Sequence, residues 1–91
     1  MRKAVFFDRD GVLNVDHGYV HNNEQWEWVN GAIKTLVYFY RQGYLIIVVT
    51  NQSGIARGYY GEDDVIRLHE SVSAELKAQG AVIEKFYYGP H

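Results

Sequence analysis

A continuous run of apolar, mostly β-branched residues in the middle of the chain most constrains its fold. The run Leu45–Val49 follows Gly43 and ends at Thr50 and Asn51. An unbroken apolar run of this length is typical of a strand buried on both faces, as in a parallel sheet. The chain has 91 residues, which is enough for one domain. We therefore expect this strand to belong to the sheet of a single α/β domain.

Two further apolar runs predict strands before and after this one. Residues Ala4 to Phe7 indicate a first strand buried on both faces, and Ala81 to Tyr88 indicate a third. Asn30 is predicted to cap a helix between the first two strands, and the acidic residues from Glu62 begin a second helix before the third. This order predicts two crossover connections, and therefore an α/β, Rossmann-like parallel sheet of three strands with flanking helices.

Charge and composition exclude several classes of partner. Nine Lys and Arg against eleven Asp and Glu give a net charge of −2, so no basic stripe is available for a nucleic acid. The chain contains no cysteine, which excludes disulfides and thiolate zinc sites and fits a reducing compartment. The apolar run at the start is too short for a signal peptide, and no run spans a bilayer. We expect a cytoplasmic protein with no nucleic-acid or membrane partner.

Polar side chains follow the first two predicted strands where each one ends. Asp8 and Asp10 stand two residues apart after the first strand, and Thr50 and Asn51 follow the second. Ligands of open parallel sheets bind beyond the carboxyl ends of the strands, and side chains at this spacing share a strand face. Two such carboxylates suit a hard cation, nucleophilic attack or proton transfer. The spacing alone does not exclude two simpler interpretations. Asp8 and Asp10 could form a solvated acidic turn, and Thr50 and Asn51 could form a simple turn or helix cap.

The histidines give weaker signals. His17 and His21 are four residues apart, but Gly18 lies between them, no helical pattern surrounds them and no third zinc ligand is evident. We therefore expect no zinc pair there. His69 falls beside the apolar stripe of the second predicted helix, and we expect it at the surface or its boundary.

At the level of whole motifs the chain resembles a known family. Residues Phe6–Asn14 resemble the first motif of the haloacid dehalogenase-like phosphatases, and Val48–Gly58 resemble their second motif in its Thr-Asn-Gln form. That form is similar to the subgroup of heptose bisphosphate, histidinol-phosphate and polynucleotide phosphatases. Residues Val15–His21 look most like the sugar-contacting loop of the heptose bisphosphate enzymes. The resemblance implies a partial haloacid dehalogenase-like fold, with residues 1–91 as the N-terminal portion of a single phosphatase domain.

The resemblance also implies roles for individual residues. Asp8 is the expected nucleophile and Asp10 the expected general acid and then base. Both are expected to hold Mg²⁺, Asp10 through its main-chain carbonyl. Substrate binding is assigned to a larger set, comprising Asp16, His17, Gly18, Tyr19, Thr50, Asn51, Gln52, Ser53 and Arg57. Zinc is not expected, because Gly89-Pro90-His91 stands where several relatives open a zinc loop with Cys-Pro-His.

The expected activity is therefore Mg²⁺-dependent hydrolysis of a phosphomonoester of a sugar bisphosphate through an aspartyl-phosphate intermediate. In the family a later segment supplies a lysine and further metal-binding acids and pairs with the first strand. We accordingly expect residues 1–91 alone to turn over weakly or not at all, and to self-associate through an exposed edge at Ala4–Phe7. The alternatives are a non-catalytic phosphate-binding or partner-complemented module, or a phosphatase for histidinol phosphate or a nucleic-acid end.

Overall fold

The computed structural model describes residues 2–89 and contains a parallel sheet of three strands in the order β1-β2-β3. The elements in chain order are β1 (Ala4–Asp8), α1 (Ala32–Arg41), β2 (Leu45–Asn51), α2 (Ser53–Ala56), α3 (Glu62–Gln79) and β3 (Ile83–Gly89). The predicted α/β class with three parallel strands and flanking helices is confirmed. Pro90 and His91, which entered the comparison with a zinc loop, lie outside the described residues.

The central and first strands differ in burial. Strand β2 pairs with β1 on one side and β3 on the other, so its residues Ile46 and Val48 are fully buried. Strand β1 pairs only with β2 within the described part of the chain, and Phe6 is 64% exposed. The prediction that β1 is buried on both faces is therefore wrong for these residues, because burial of an apolar strand needs neighbours that the described chain does not provide.

The two long helices begin and end at residues with clear local causes. Helix α1 begins after Gly31, whose φ of 87° is a left-handed conformation that glycine adopts without strain. Gly31, not the predicted Asn30, is thus the cap. Helix α3 begins at Glu62 as expected, and the Asp64 carboxylate accepts a hydrogen bond from the Gly61 amide at 2.9 Å. It ends at Gly80, as predicted, with φ 108°.

The core joins the sheet, the helices and the long connection between β1 and α1. Its buried members are Leu13, Val20, Leu36, Ile46, Val48, Leu68, Val72, Leu76, Ala81 and Ile83. Leu13 and Val20 belong to the connection, so their burial fixes the backbone of the segment that follows Asp8 and Asp10. None of the described helices is long and apolar enough to cross a membrane.

Candidate active site

The carboxyl ends of β1 and β2 lie side by side. Asp8 is in register with Val49, and the Arg9 amide donates a hydrogen bond to the Val49 carbonyl at 2.8 Å. The acidic residues after β1 and the polar residues at the end of β2 therefore meet at one edge of the sheet. This is the edge at which open parallel sheets bind ligands.

A tight turn after β1 returns the chain toward this edge. Gly11 has φ 88°, and its amide donates to the Asn14 carbonyl at 2.7 Å. The amides of Leu13 and Asn14 both donate to the Arg9 carbonyl, at 2.8 and 3.1 Å. As a result Leu13 enters the core, and the fully buried Asn14 side chain lies against Asp10.

Three side chains hold the Asp10 carboxylate. Its Oδ1 accepts hydrogen bonds from Arg9 Nη2 at 2.7 Å, Arg9 Nε at 3.2 Å and Asn14 Nδ2 at 3.1 Å. Its Oδ2 accepts one from the Thr50 hydroxyl at 3.3 Å. Oδ1 makes most of these contacts, so Oδ2 has more room for a further hydrogen bond. The Thr50 hydroxyl beside Oδ2 can either donate or accept one.

Arg9, for which no role was predicted, links several of these groups. It is only 1% exposed, and its Nη2 also donates to the Val20 carbonyl at 2.7 Å. Its guanidinium lies over the Trp26 ring, 5.7 Å from the ring centroid. A buried guanidinium must be paired and hydrogen-bonded, and Arg9 meets that requirement by joining Asp10 to the connection that contains Val20.

The remaining contact of Arg9 comes from α3. Arg9 Nη1 lies 3.1 Å from Nε2 of His69, which is 5% exposed and stacks on Phe86 with ring centroids 3.9 Å apart. The prediction of a surface or boundary histidine is therefore wrong. Burial, reinforced by the Arg9 charge, lowers the pKa of His69 to about 3. The imidazole is consequently neutral at pH 7, and its Nε2 accepts the hydrogen bond from Arg9.

A second chain of hydrogen bonds reaches Asp10 from the other side. The Tyr60 hydroxyl donates to Gln52 Oε1 at 2.6 Å, and Gln52 Nε2 donates to the Thr50 hydroxyl oxygen at 2.6 Å. Burial raises the pKa of Tyr60, so its hydroxyl remains a donor. The ring packs so closely on Gly54 that a Cβ there would lie 2.2 Å from a Tyr60 ring carbon. Glycine is thus required at position 54 for the Tyr60 ring to occupy this place.

A cavity of about 340 Å³ opens over these groups. It is lined by Arg9, Asp10, Asp16, Gly18, Tyr19, Val20, Asn51, Gln52, Ser53 and Tyr60. The Asp16 carboxylate accepts a hydrogen bond from the Gly18 amide at 3.0 Å, and Tyr19 has a positive φ of 52°. Such a backbone conformation is uncommon outside glycine, and it often occurs at ligand sites. Seven predicted substrate or catalytic residues thus share this cavity, and the buried Thr50 lies just behind it.

Besides Thr50, three predicted site residues do not line this cavity. Asp8 lies at the exposed end of β1, and Arg57 is exposed after α2. His17 is also exposed, where its Nε2 pairs with the Glu27 carboxylate at 2.9 Å. His21 stacks on Tyr60 instead, with ring centroids 4.4 Å apart, so the two histidines have separate partners. The predicted roles of all the site residues, whether or not they line the cavity, stay predictions.

The donors at this edge suit a hard cation. Within residues 2–89 the Asp8 carboxylate has no side-chain hydrogen bond, so its oxygens are open, and the Asp10 carbonyl lies two residues further along the chain. The Asp10 side chain, in contrast, already holds its three partners. No group of three or more His, Cys, Asp or Glu side chains converges in the described part of the chain. Oxygen donors of this kind are the ligands that Mg²⁺ prefers, and the magnesium site expected at Asp8 and Asp10 stays a prediction.

Comparison with solved structures identifies the class. The heptose bisphosphate phosphatase of B. bronchiseptica, solved with magnesium and phosphate, superimposes with a TM-score of 0.90 at 28% identity. The match covers 98% of this chain and 50% of that one. The predicted resemblance to the fold of the haloacid dehalogenase-like phosphatases is confirmed.

The sequence comparisons narrow this class to a family. The chain belongs to the polynucleotide kinase 3 phosphatase family, whose model matches residues 3–87. A D-glycero-β-D-manno-heptose-1,7-bisphosphate 7-phosphatase of Pasteurella multocida is 48% identical over 91 residues, 100% of this chain and 50% of the relative. A D-glycero-α-D-manno-heptose-1,7-bisphosphate 7-phosphatase of Campylobacter jejuni is 45% identical over 89 residues, 98% of this chain and 52% of the relative. The chain thus spans about half the length of these curated relatives.

Four residues whose side chains hydrogen-bond within the site were not predicted from the sequence: Arg9, Asn14, Tyr60 and His69. For Arg9 the available signal was its position between two acids, where an opposite charge favours an ion pair. For His69 and Tyr60 no local signal existed. Their contacts with the site depend on how α3 and the segment before it pack.

Proposed function

We propose that this chain carries the catalytic aspartates of a Mg²⁺-dependent phosphomonoesterase that acts on a heptose bisphosphate. The observation that carries the proposal is the contrast between two nearby carboxylates, one open and one held by three side chains. Pairs of acidic groups in unlike environments are typical of sites that need both a nucleophile and a proton carrier. The names of the relatives supply the substrate class and include both the α and the β anomer.

The proposed reaction has two steps. An oxygen of Asp8 attacks phosphorus and forms an acyl phosphate, while the bond from phosphorus to the sugar oxygen breaks and Asp10 Oδ2 gives its proton to that oxygen. Asp10 then takes a proton from water, which attacks phosphorus, releases inorganic phosphate and restores the Asp8 carboxylate. The Asp8 carboxylate and the Asp10 carbonyl would hold Mg²⁺, which would supply positive charge against the phosphoryl oxygens.

The cavity residues have supporting roles in this proposal. Asn51 and the Thr50 hydroxyl bind phosphoryl oxygens, and Arg57 adds a positive charge at the rim. Asp16, His17, Gly18 and Tyr19 contact the sugar. Ser53 and Gln52 also line the cavity, where they would help to shape the sugar pocket, and the Gln52 amide additionally supports Thr50. The absence of cysteine suits a reducing compartment, and we place the reaction in the cytoplasm.

We further propose that residues 1–91 are the N-terminal portion of one phosphatase domain. Supporting this, the curated relatives are about twice as long as the matched segment. The β1 edge is apolar and unpaired in the described residues, and Phe7, Leu13 and Leu36 help to line an apolar groove of about 230 Å³ beside it. In this proposal the second half covers β1 and supplies a lysine and further acids. Without it, the β1 edge invites self-association.

A chimera tests these proposals directly. Residues 1–91 are joined to the second half of the Pasteurella multocida relative, and phosphate release is measured with Mg²⁺ or EDTA. The substrates are both anomers of the heptose bisphosphate, histidinol phosphate and a 3′-phosphorylated oligonucleotide. We expect Mg²⁺-dependent release from a heptose bisphosphate, its loss in the Asp8→Asn chimera, and little release by residues 1–91 alone.

Two controls accompany the chimera. The intact relative shows that the assay detects phosphate release, and the relative's second half alone measures background hydrolysis. If the chimera prefers histidinol phosphate or the oligonucleotide, the proposed substrate class is wrong but the proposed mechanism still holds. A folded chimera that binds phosphate but hydrolyses none of the substrates would favour a non-catalytic module. Full activity after Asp8→Asn would contradict the role of Asp8.

A further inference from the structure

A buried histidine at the inner end of the site has no part in the reaction steps. His69 lies in α3, 60 residues along the chain from Arg9, and its Nε2 is 3.1 Å from Arg9 Nη1. A guanidinium has only donors and retains its charge, so Arg9 donates and Nε2 of His69 accepts. The contact therefore requires a neutral imidazole with its proton on Nδ1.

The partners of Arg9 divide between its nitrogens. Nε donates to Asp10, Nη2 donates to Asp10 and to the Val20 carbonyl, and Nη1 contacts His69. In the described residues His69 is the acceptor at Nη1. Since Arg9 is 1% exposed, solvent does not readily replace a lost acceptor. Removing His69 would leave a charged donor unsatisfied, and the guanidinium would turn to find another partner.

We propose that His69 is a positioning residue of the active site, whose imidazole holds the Arg9 guanidinium so that Arg9 holds Asp10 Oδ1 and leaves Oδ2 directed at the reacting oxygen. This inference rests on the proposed role of Asp10 in proton transfer. The geometry supports it because the His69 ring is itself fixed. It stacks on Phe86 at an interplanar angle of 9°, which orients Nε2 toward Arg9.

Substitutions at position 69 in the chimera separate positioning from packing. His69→Leu removes the acceptor and fills much of the space, whereas His69→Gln offers a new acceptor oxygen. We expect His69→Leu to lower kcat about 10- to 100-fold with KM changed less than about 2-fold, because misplacing a proton carrier affects the transition state more than substrate binding. His69→Gln should recover most of the lost kcat.

A matched control on the same helix measures the effect of general destabilisation. Val72 is buried in the apolar core, and its side chain has no polar atom that could hydrogen-bond to the site. Val72→Ala should therefore lower the melting temperature of the chimera and leave kcat unchanged. Wild-type kcat in His69→Leu, a failure of His69→Gln to recover kcat, or an equal loss of kcat in Val72→Ala would each overturn the positioning role.

A spectroscopic measurement keeps the inference separate from the proposed function. Nitrogen-15 NMR of the chimera should show the His69 imidazole protonated on Nδ1 and accepting at Nε2. The Arg9 Nε–H resonance should shift in His69→Leu and stay near its wild-type position in His69→Gln. An unshifted Arg9 resonance in folded His69→Leu would overturn the inference at any level of activity. Loss of all phosphatase activity in the unsubstituted chimera would instead contradict the proposed function.

Discussion

Asp10 and Asp8 stand two residues apart in one strand-end motif, yet their surroundings are opposite. The Asp10 carboxylate accepts hydrogen bonds from Arg9, Asn14 and Thr50, each of which is buried. Asp8 is exposed and has no side-chain hydrogen bond in residues 2–89. The difference in surroundings matches the two different tasks that we propose for these acids. A proton carrier gains from a fixed direction, whereas a nucleophile and metal ligand needs open lone pairs.

The same difference separates stability from chemistry. Asp10 compensates the charge of buried Arg9, so the folded state depends on it. Asp8 forms no ion pair within residues 2–89, so we expect the folded state of this part of the chain not to depend on it. Exchanging each acid for its amide should therefore affect activity at both positions but stability at only one.

The largest expected effect tests this comparison directly. In the chimera Asp10→Asn should lower turnover about 10²- to 10⁴-fold through loss of acid–base chemistry. It should also lower the free energy of unfolding by about 1–3 kcal/mol, less than for a fully buried pair because the Asp10 side chain is 24% exposed. Asp8→Asn should abolish turnover and change the unfolding free energy by less than about 0.5 kcal/mol. Phosphate release and urea unfolding measure the two quantities.

An equal loss of stability in both variants would break the comparison. It would mean that Asp8 is also engaged in the folded protein, for example through groups supplied by the second half of the domain. The urea m-value checks that the two variants unfold from equally compact native states.

The next largest effect concerns His69, which contacts Arg9 and through it supports Asp10. The folded pKa of His69 is about 3, below its ordinary value of 6.5, so between these values the unfolded chain binds a proton that the folded chain does not. The His69 contribution to stability is thus fully present above pH 6.5 and is lost as pH falls toward 3. The loss should be on the order of 3 kcal/mol between pH 7 and pH 4.

The His69→Gln variant separates the contribution of His69 to stability from that of the carboxylates, which titrate over the same pH range. Urea unfolding of the chimera and of its His69→Gln version is compared at several pH values. The difference in unfolding free energy between them should shrink or change sign on acidification, because glutamine does not titrate. Parallel pH profiles would show that His69 does not remain neutral in the folded protein.

The smallest expected effect concerns the chain of hydrogen bonds on the opposite side of Asp10. Gly54→Ala places a Cβ 2.2 Å from the Tyr60 ring, which must move and break its contact with Gln52. We expect a loss of about 1–3 kcal/mol in unfolding free energy, typical of overpacking. Gly61→Ala is the control, since its Cβ would meet only Asp64 Oδ2 at 3.7 Å. Equal losses in the two variants would argue against close packing at Gly54.

The sequence predicted the fold well because its signals were local. The run Leu45–Val49 became the central part of β2, and Glu62 and Gly80 marked the ends of α3 as expected. Helix α2 was missed because its four residues are too few to show a helical period. The burial of β1 was wrong because burial depends on neighbouring strands, which the residues of β1 do not determine.

The sequence predicted the site residues at the strand ends but not the buried contacts of Arg9 behind them. Asp8 and Thr50 could be placed at adjacent strand ends because parallel strands bring their carboxyl ends to one edge. The contacts of Arg9 with Val20 and His69 could not be predicted, since they join segments 11 and 60 residues away through tertiary packing. Arginine is also usually exposed and histidine is intermediate, so residue type did not indicate that Arg9 and His69 are buried.

The hydrogen bond from Arg9 to the Val20 carbonyl has a consequence for how this site can change its substrate. The bond anchors the rim of the cavity through the main chain, so it does not depend on which side chain occupies position 20, provided that the core remains packed. The exposed side chains of His17 and Tyr19, in the segment just before Val20, make no hydrogen bond to Asp10 or Arg9 in the described residues. Under the proposed function, substitutions at these two positions would alter which sugar fits while Asp10 keeps its position. Substrate preference and catalytic competence can therefore evolve, or be engineered, at separate positions.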